Sequence, residues 1–202
     1  MKGPDMADIK PLLHTQKARE RIMVAISWDE RSDKITIMDK VRGTNQQHDL
    51  DLACFVFDAD GNYIDFVGSM AQDAMDSTGC IYHSGDDSTG EGLGDDESLS
   101  IELAGLPRTT AQLVFVTEIQ SDHVFSQVNL PTMRVADGAN DKNLATLDMT
   151  AAQGADAKAC VMARIFRDRT SETGWSLHLI GDYPDLSQVS DWGSYLPRYF
   201  RV

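Results

Sequence analysis

The feature that most restricts this chain is a recurring unit, a strand-sized run of β-branched and aromatic residues followed by a turn signal. The runs are RIMVAISW (21–28), KITIM (34–38), LDLACFVF (50–57), YIDFVG (63–68), SLSIEL (98–103), AQLVFVTEI (111–119), TMRVA (132–136), AKACVMARIFR (157–167) and WSLHLIG (175–181). Their spacing predicts two packed antiparallel sheets. In SLSIEL, the side chains of Leu99, Ile101 and Leu103 share one face, whereas LACFVF is nearly continuous, as expected of a central strand. The expected fold is therefore all-β, a β-sandwich of two mostly antiparallel sheets with a few short helices.

Two segments depart from the pattern. SDHVFSQVN (121–129) opens with capping residues and carries Val124, Phe125 and Val128 at helical spacing, which predicts a short helix at the sandwich edge. In PDLSQVSDWGSYLPRYF, Asp185 is a cap and Leu186 shares a face with Val189 until Gly193 and Pro197 interrupt the helix. No repeat, linker or second composition regime divides the chain, so residues 21–202 read as one domain. Residues 1–20 read as an N-terminal extension, helical or disordered.

Charge narrows the function. The formal net charge is −14, which disfavours direct contact with a nucleic-acid backbone or an anionic membrane. Between Gly43 and Pro107 there is no Lys or Arg, yet fourteen of the 32 acids lie there, and the remaining eighteen balance the eighteen bases. A solubilising surface would spread its charge, so a block of this kind points to a cation or a basic partner. The three cysteines form no close pair and suit a reducing compartment. No stretch approaches the ~20 apolar residues of a membrane span, and the polar start lacks a secretory core. The expected location is the cytoplasm.

Within that window, GDDSTGEGLGDDE (85–97) gathers six carboxylates and four glycines in thirteen residues. Two like charges ~4 Å apart repel by ~1 kcal/mol even in water, and a divalent cation removes that cost. Calcium takes six to eight oxygens at ~2.3–2.6 Å, and glycines let a loop turn carbonyls as well as carboxylates inward. Magnesium demands a stricter octahedron. Asp86 and Glu97 have the inclusive span of an EF-hand loop, but Glu91 occupies its sixth place, so this is an acidic loop of another design. DADGN (58–62) resembles an EF-hand start only superficially: Gly61 falls at the fourth place and Ser69 at the twelfth, and the stretch reads as a hairpin turn.

HDLDLA (48–53) supplies the second half. In an extended segment, Asp49 and Asp51 point to one side, ~6.6–6.8 Å apart. That brings two carboxylates to a sheet edge where the acidic loop could meet them around one or two ions; as a plain alternative, they are exposed residues on a polar face. His48 and His83 flank the two motifs, but imidazole is a poor calcium ligand.

In chain order, SWDER (27–31), HDLDLACFVFDADG (48–61), HSGDDSTGEGLGDDESLSIEL (83–103), AQLVFVTEI, FSQV (125–128), LATLDM (144–149) and GWSLHLIG (174–181) resemble the TerD family of tellurium-resistance and general stress proteins. The resemblance covers roughly residues 22 to 182, and the acidic loop is its most specific part. It implies a β-sandwich with calcium bound at adjacent loops, in cytoplasmic bacterial proteins that bind rather than catalyse. By motif, the implied metal residues are Asp49 and Asp51, then Asp86, Asp87, Glu91, Asp95, Asp96 and Glu97; Asp29, from the family's Gly-Trp-Asp, is a further metal residue or has a structural role beside Trp28. The family's opening strand is not visible before Ile22.

Two functions follow as expectations. The first is a calcium-stabilised interaction module for protein partners in a stress-response complex. The second is a divalent-metal-dependent phosphoester hydrolase using the same acids. Against the second, the acidic window has no Lys or Arg to steady a transferring phosphoryl group.

Overall fold

The computed structural model describes residues 9–17, 19–31, 47–150 and 156–200. Among the described residues, eleven strands form two sheets: β1 (Ile9–Pro11), β2 (Arg21–Asp29), β3 (Leu50–Phe57), β4 (Tyr63–Val67), β5 (Ile81–His83), β6 (Glu97–Glu102), β7 (Gln112–Ile119), β8 (Asn129–Asp137), β9 (Asn143–Asp148), β10 (Ala159–Arg167) and β11 (Trp175–Asp182). One sheet runs β1-β11-β10-β7-β3-β4 and the other β5-β6-β2-β8-β9, and every pairing is antiparallel. The expected sandwich is thus the observed fold. The KITIM run lies outside the described residues.

Alternation along β3 sets the two faces. Leu50, Leu52, Cys54 and Val56 enter the core between the sheets, with Ile22, Val24 and Ile26 of β2 and Leu99 and Ile101 of β6. Ala53, Phe55 and Phe57 belong to a second apolar layer on the outer side of the six-stranded sheet. Side chains in a strand alternate sides, so Asp51 belongs to that outer face as well. The C-terminal segment covers part of it through Tyr195, Leu196 and Tyr199.

Three local expectations are corrected. Ile9–Pro11, inside the segment read as helical or disordered, is an edge strand against Ser176–His178 of β11. Three residues are too few to show alternation, so only the distant partner reveals the strand. The helix expected over 121–129 reduces to a 3-10 turn at Phe125–Gln127, because Phe125 is drawn into the core and Asn129 already begins β8. In the tail, Gly193 does not end a helix; it lies inside α1 (Trp192–Tyr195), which Asp191 caps by accepting the Ser194 N–H at 2.7 Å.

Candidate metal centre

The acidic loop closes the β5–β6 hairpin, and all four of its glycines have positive φ. At Gly90 no other residue would fit: φ is +64°, and an added Cβ would lie 2.5 Å from Trp28 Nε1. Trp28 ties the region together. Its indole N–H donates to the His48 carbonyl at 3.1 Å, and its backbone N–H donates to Asp96 Oδ2 at 2.7 Å. The residue before Asp49 is thereby joined to the loop.

Glu97 makes the second tie. It is fully buried, with Oε2 accepting the Leu52 N–H at 2.7 Å and Oε1 accepting the Asp87 N–H at 3.2 Å. Pairing of β4 with β3 ends at Cys54, and the Glu97 side chain serves the β3 backbone beyond it. His83 Nδ1 accepts the Gly85 N–H at 3.0 Å, which leaves Nε2 carrying the proton 3.4 Å from Glu97 Oε2. Burial nonetheless raises the Glu97 pKa, against the lowering effect of these partners.

These ties bring Asp49, Asp51 and Asp86 together, with one carboxylate oxygen of each within 4.8 Å of the others. Two oxygens on opposite sides of one calcium stand ~4.6–5.2 Å apart, so the spacing suits a shared ion. Asp49 Oδ1 is buried with no hydrogen-bond partner, while Asp51 Oδ1 accepts from Ser69 Oγ at 3.0 Å. Burial first, then repulsion from Asp51, Asp86, Glu97 and Asp87, pushes the Asp49 pKa up to about 6. Burial likewise raises that of Asp51. The donor set, all hard carboxylate oxygens with one orphaned in the interior, fits a divalent cation such as calcium.

The other six expected residues have different surroundings. Asp87 Oδ1 accepts the Thr89 and Gly90 N–H groups at 2.9 and 3.1 Å, hydrogen bonds that outweigh partial burial and lower its pKa. Asp96 is held by Trp28, although burial raises its pKa. Asp95 faces Arg134, whose Nε and Nη2 donate to its two oxygens at 2.8 and 2.7 Å. Asp29 and Glu91 line a separate acidic cleft with Glu30 and Asn129. Glu97, as described, bridges backbone groups. Sequence reasoning missed Ser69 and Arg134. Ser69 carries no local signal, and Arg134 is an ordinary outward residue of a strand until the fold sets it beside Asp95.

Residues 9–185 match the TerD domain. The tellurium resistance protein TerD of an Alcaligenes species is 30% identical over 146 residues, 69% of this chain and 70% of that protein. General stress protein 16U of Bacillus subtilis is 27% identical over 145 residues, 68% of this chain and 69% of its own. These names describe resistance and stress proteins and give no support to the hydrolase alternative. Among solved structures, a homologue of telluride resistance protein (TerD) from Streptomyces coelicolor A3(2) superposes with a TM-score of 0.61 at 24% identity, covering 83% of this chain and 93% of that one. At that identity the likeness speaks for the fold alone. With a family match over residues 9–185 on a two-sheet sandwich, this chain belongs to the TerD domain family.

Proposed function

We propose that the protein is a calcium-binding interaction module of the bacterial stress response, in the tellurium-resistance and general-stress setting that its relatives' names describe. Asp49, Asp51 and Asp86 hold the ion. The observation that carries this reading is their convergence around a buried Asp49 oxygen that lacks a partner. Calcium bound there supplies positive charge that cancels the mutual repulsion of the three carboxylates. Trp28 and Glu97 keep the loop against β3, so that ion binding and loop order are coupled. One or two ions are expected, and the stiffened loop presents a surface to protein partners in the cytoplasm. No helix among the described residues is long and apolar enough to cross a membrane.

Calorimetric calcium titration tests the reading. Wild type should bind at micromolar to millimolar calcium, and Asp49→Asn with Asp51→Asn should abolish that binding. Asp95→Asn with Asp96→Asn should retain it, because those carboxylates are engaged by Arg134 and Trp28. Absence of wild-type binding, or equal losses in both double variants, would defeat the assignment.

A further inference from the structure

The outer face of the six-stranded sheet carries a second concavity beside the metal centre. It is a cavity of about 220 Å³ lined by Phe55, Phe66 and Trp192 and by Asp51, Asp73 and Glu118, with no Lys or Arg among its lining residues. This is below the ~300–1,000 Å³ usual for small-molecule sites and suits one side chain. The rings surround it at an angle to one another: Phe55 and Phe66 have centroids 5.0 Å apart at 56°, and Phe55 and Trp192 6.3 Å apart at 49°. An added Cβ at Gly68 would meet Phe66 Cζ at 2.7 Å, so the glycine makes room for that ring.

The carboxylates are placed at a cost to the fold. Asp51 and Glu118 are direct cross-strand partners on β3 and β7, and like charges so placed repel. Trp192 Nε1 donates to Glu118 Oε1 at 2.6 Å, while Ser69 and Gln120 both bond the Asp51 carboxylate, so Glu118 keeps its second oxygen for a ligand. The three acids come from three separate segments, β3, the β4–β5 connection and β7. That matches an ammonium with its three donors better than the planar fork of a guanidinium. Aromatic faces around a desolvated cation add to the attraction. Phe55 and Trp192 also line an open groove with Tyr63 and Pro197, which gives room for the backbone that carries the side chain.

We propose that this cavity receives a lysine side chain from a basic segment of a protein partner. Charge complementarity selects the occupant: Asp51, Asp73 and Glu118 line the cavity and no Lys or Arg does. Asp51 is shared with the three-carboxylate group, so the test uses Asp73 and Glu118, which lie outside it.

The test titrates the whole protein in EDTA with acetyl-Gly-Lys-Gly-amide, with its norleucine counterpart and with cadaverine. The readout is the Trp192 indole N–H in proton–nitrogen correlation spectra, assigned by the signal lost in Trp192→Phe. The lysine peptide should shift that signal saturably, and norleucine should bind roughly tenfold or more weakly. Glu118→Gln, which keeps an acceptor for Trp192, and Asp73→Asn should each weaken the lysine peptide by roughly tenfold, with spectra otherwise intact. The calcium titration of Asp73→Asn should match wild type, which separates this site from the metal centre. No saturable shift up to about 10 mM overturns the proposal. Equal binding of norleucine, or cadaverine binding as tightly as the peptide, overturns it too.

Discussion

Asp49→Asn should stabilise the calcium-free protein at neutral pH and remove most of the stabilisation that calcium brings. Burial and four neighbouring carboxylates hold the Asp49 pKa at about 6. A rise of about two units would correspond to ~3 kcal/mol in a fully enclosed site. The carboxyl is only partly buried and water screens it, so about 1 kcal/mol is the working figure. The sign follows from a folded pKa above the unfolded one. The folded state holds the proton more tightly, so this contribution is greatest below about pH 4 and is lost as pH rises through about 6. An amide does not ionise, and the variant escapes that loss. In EDTA near pH 7.5, it should melt ~2–4 °C above wild type, and near pH 4 the gap should close. Calcium at about a hundred times its Kd should then add ~2.7 kcal/mol to wild type and much less to the variant. Thermal melts with and without calcium at both pH values read every outcome. A variant that melts below wild type in EDTA near pH 7.5 refutes the burial-and-repulsion account. One that gains as much from calcium as wild type refutes Asp49 as a ligand.

Three further outcomes are expected. Gly90→Ala should lower stability by about 2 kcal/mol or more, since it combines positive φ with a clash on Trp28; Gly92→Ala, with nothing within 4 Å, should cost clearly less in parallel urea unfolding. Glu97→Gln should cost about 2 kcal/mol in chemical denaturation, because its amide NH₂ must face one of two backbone donors inside the protein. Arg134→Met should cost about 1 kcal/mol by freeing Asp95 from its two-point contact, with a smaller loss at high salt and unchanged calcium affinity by calorimetry.

Much of the architecture was legible because strands with a buried face write their period into the chain. Leu99 and Ile101 alternate with less buried residues along β6, the nearly continuous run at 50–57 became β3 between two neighbours, and the runs at 21–28, 111–119 and 175–181 became β2, β7 and β11. β5 has three residues and β1 three, too short for any period to register, and their existence depends on partners in β6 and β11. The 121–129 segment shows the opposite error, since helical spacing of Val124, Phe125 and Val128 was overridden when Phe125 entered the core.

By itself, the sequence determined the sandwich, the side-by-side placement of Asp49 and Asp51, and a glycine-bent acidic loop, since each follows from local alternation or from the backbone freedom of glycine. Only the tertiary structure decided which carboxylates converge. Asp86 meets Asp49 and Asp51, Arg134 claims Asp95 from 39 residues away, and Glu97 turns inward to the Leu52 amide 45 residues distant. A carboxylate's role depends on the charges and donors within a few ångströms of it, and those neighbours are supplied by strand register across the sheets rather than by the residues beside it in the chain.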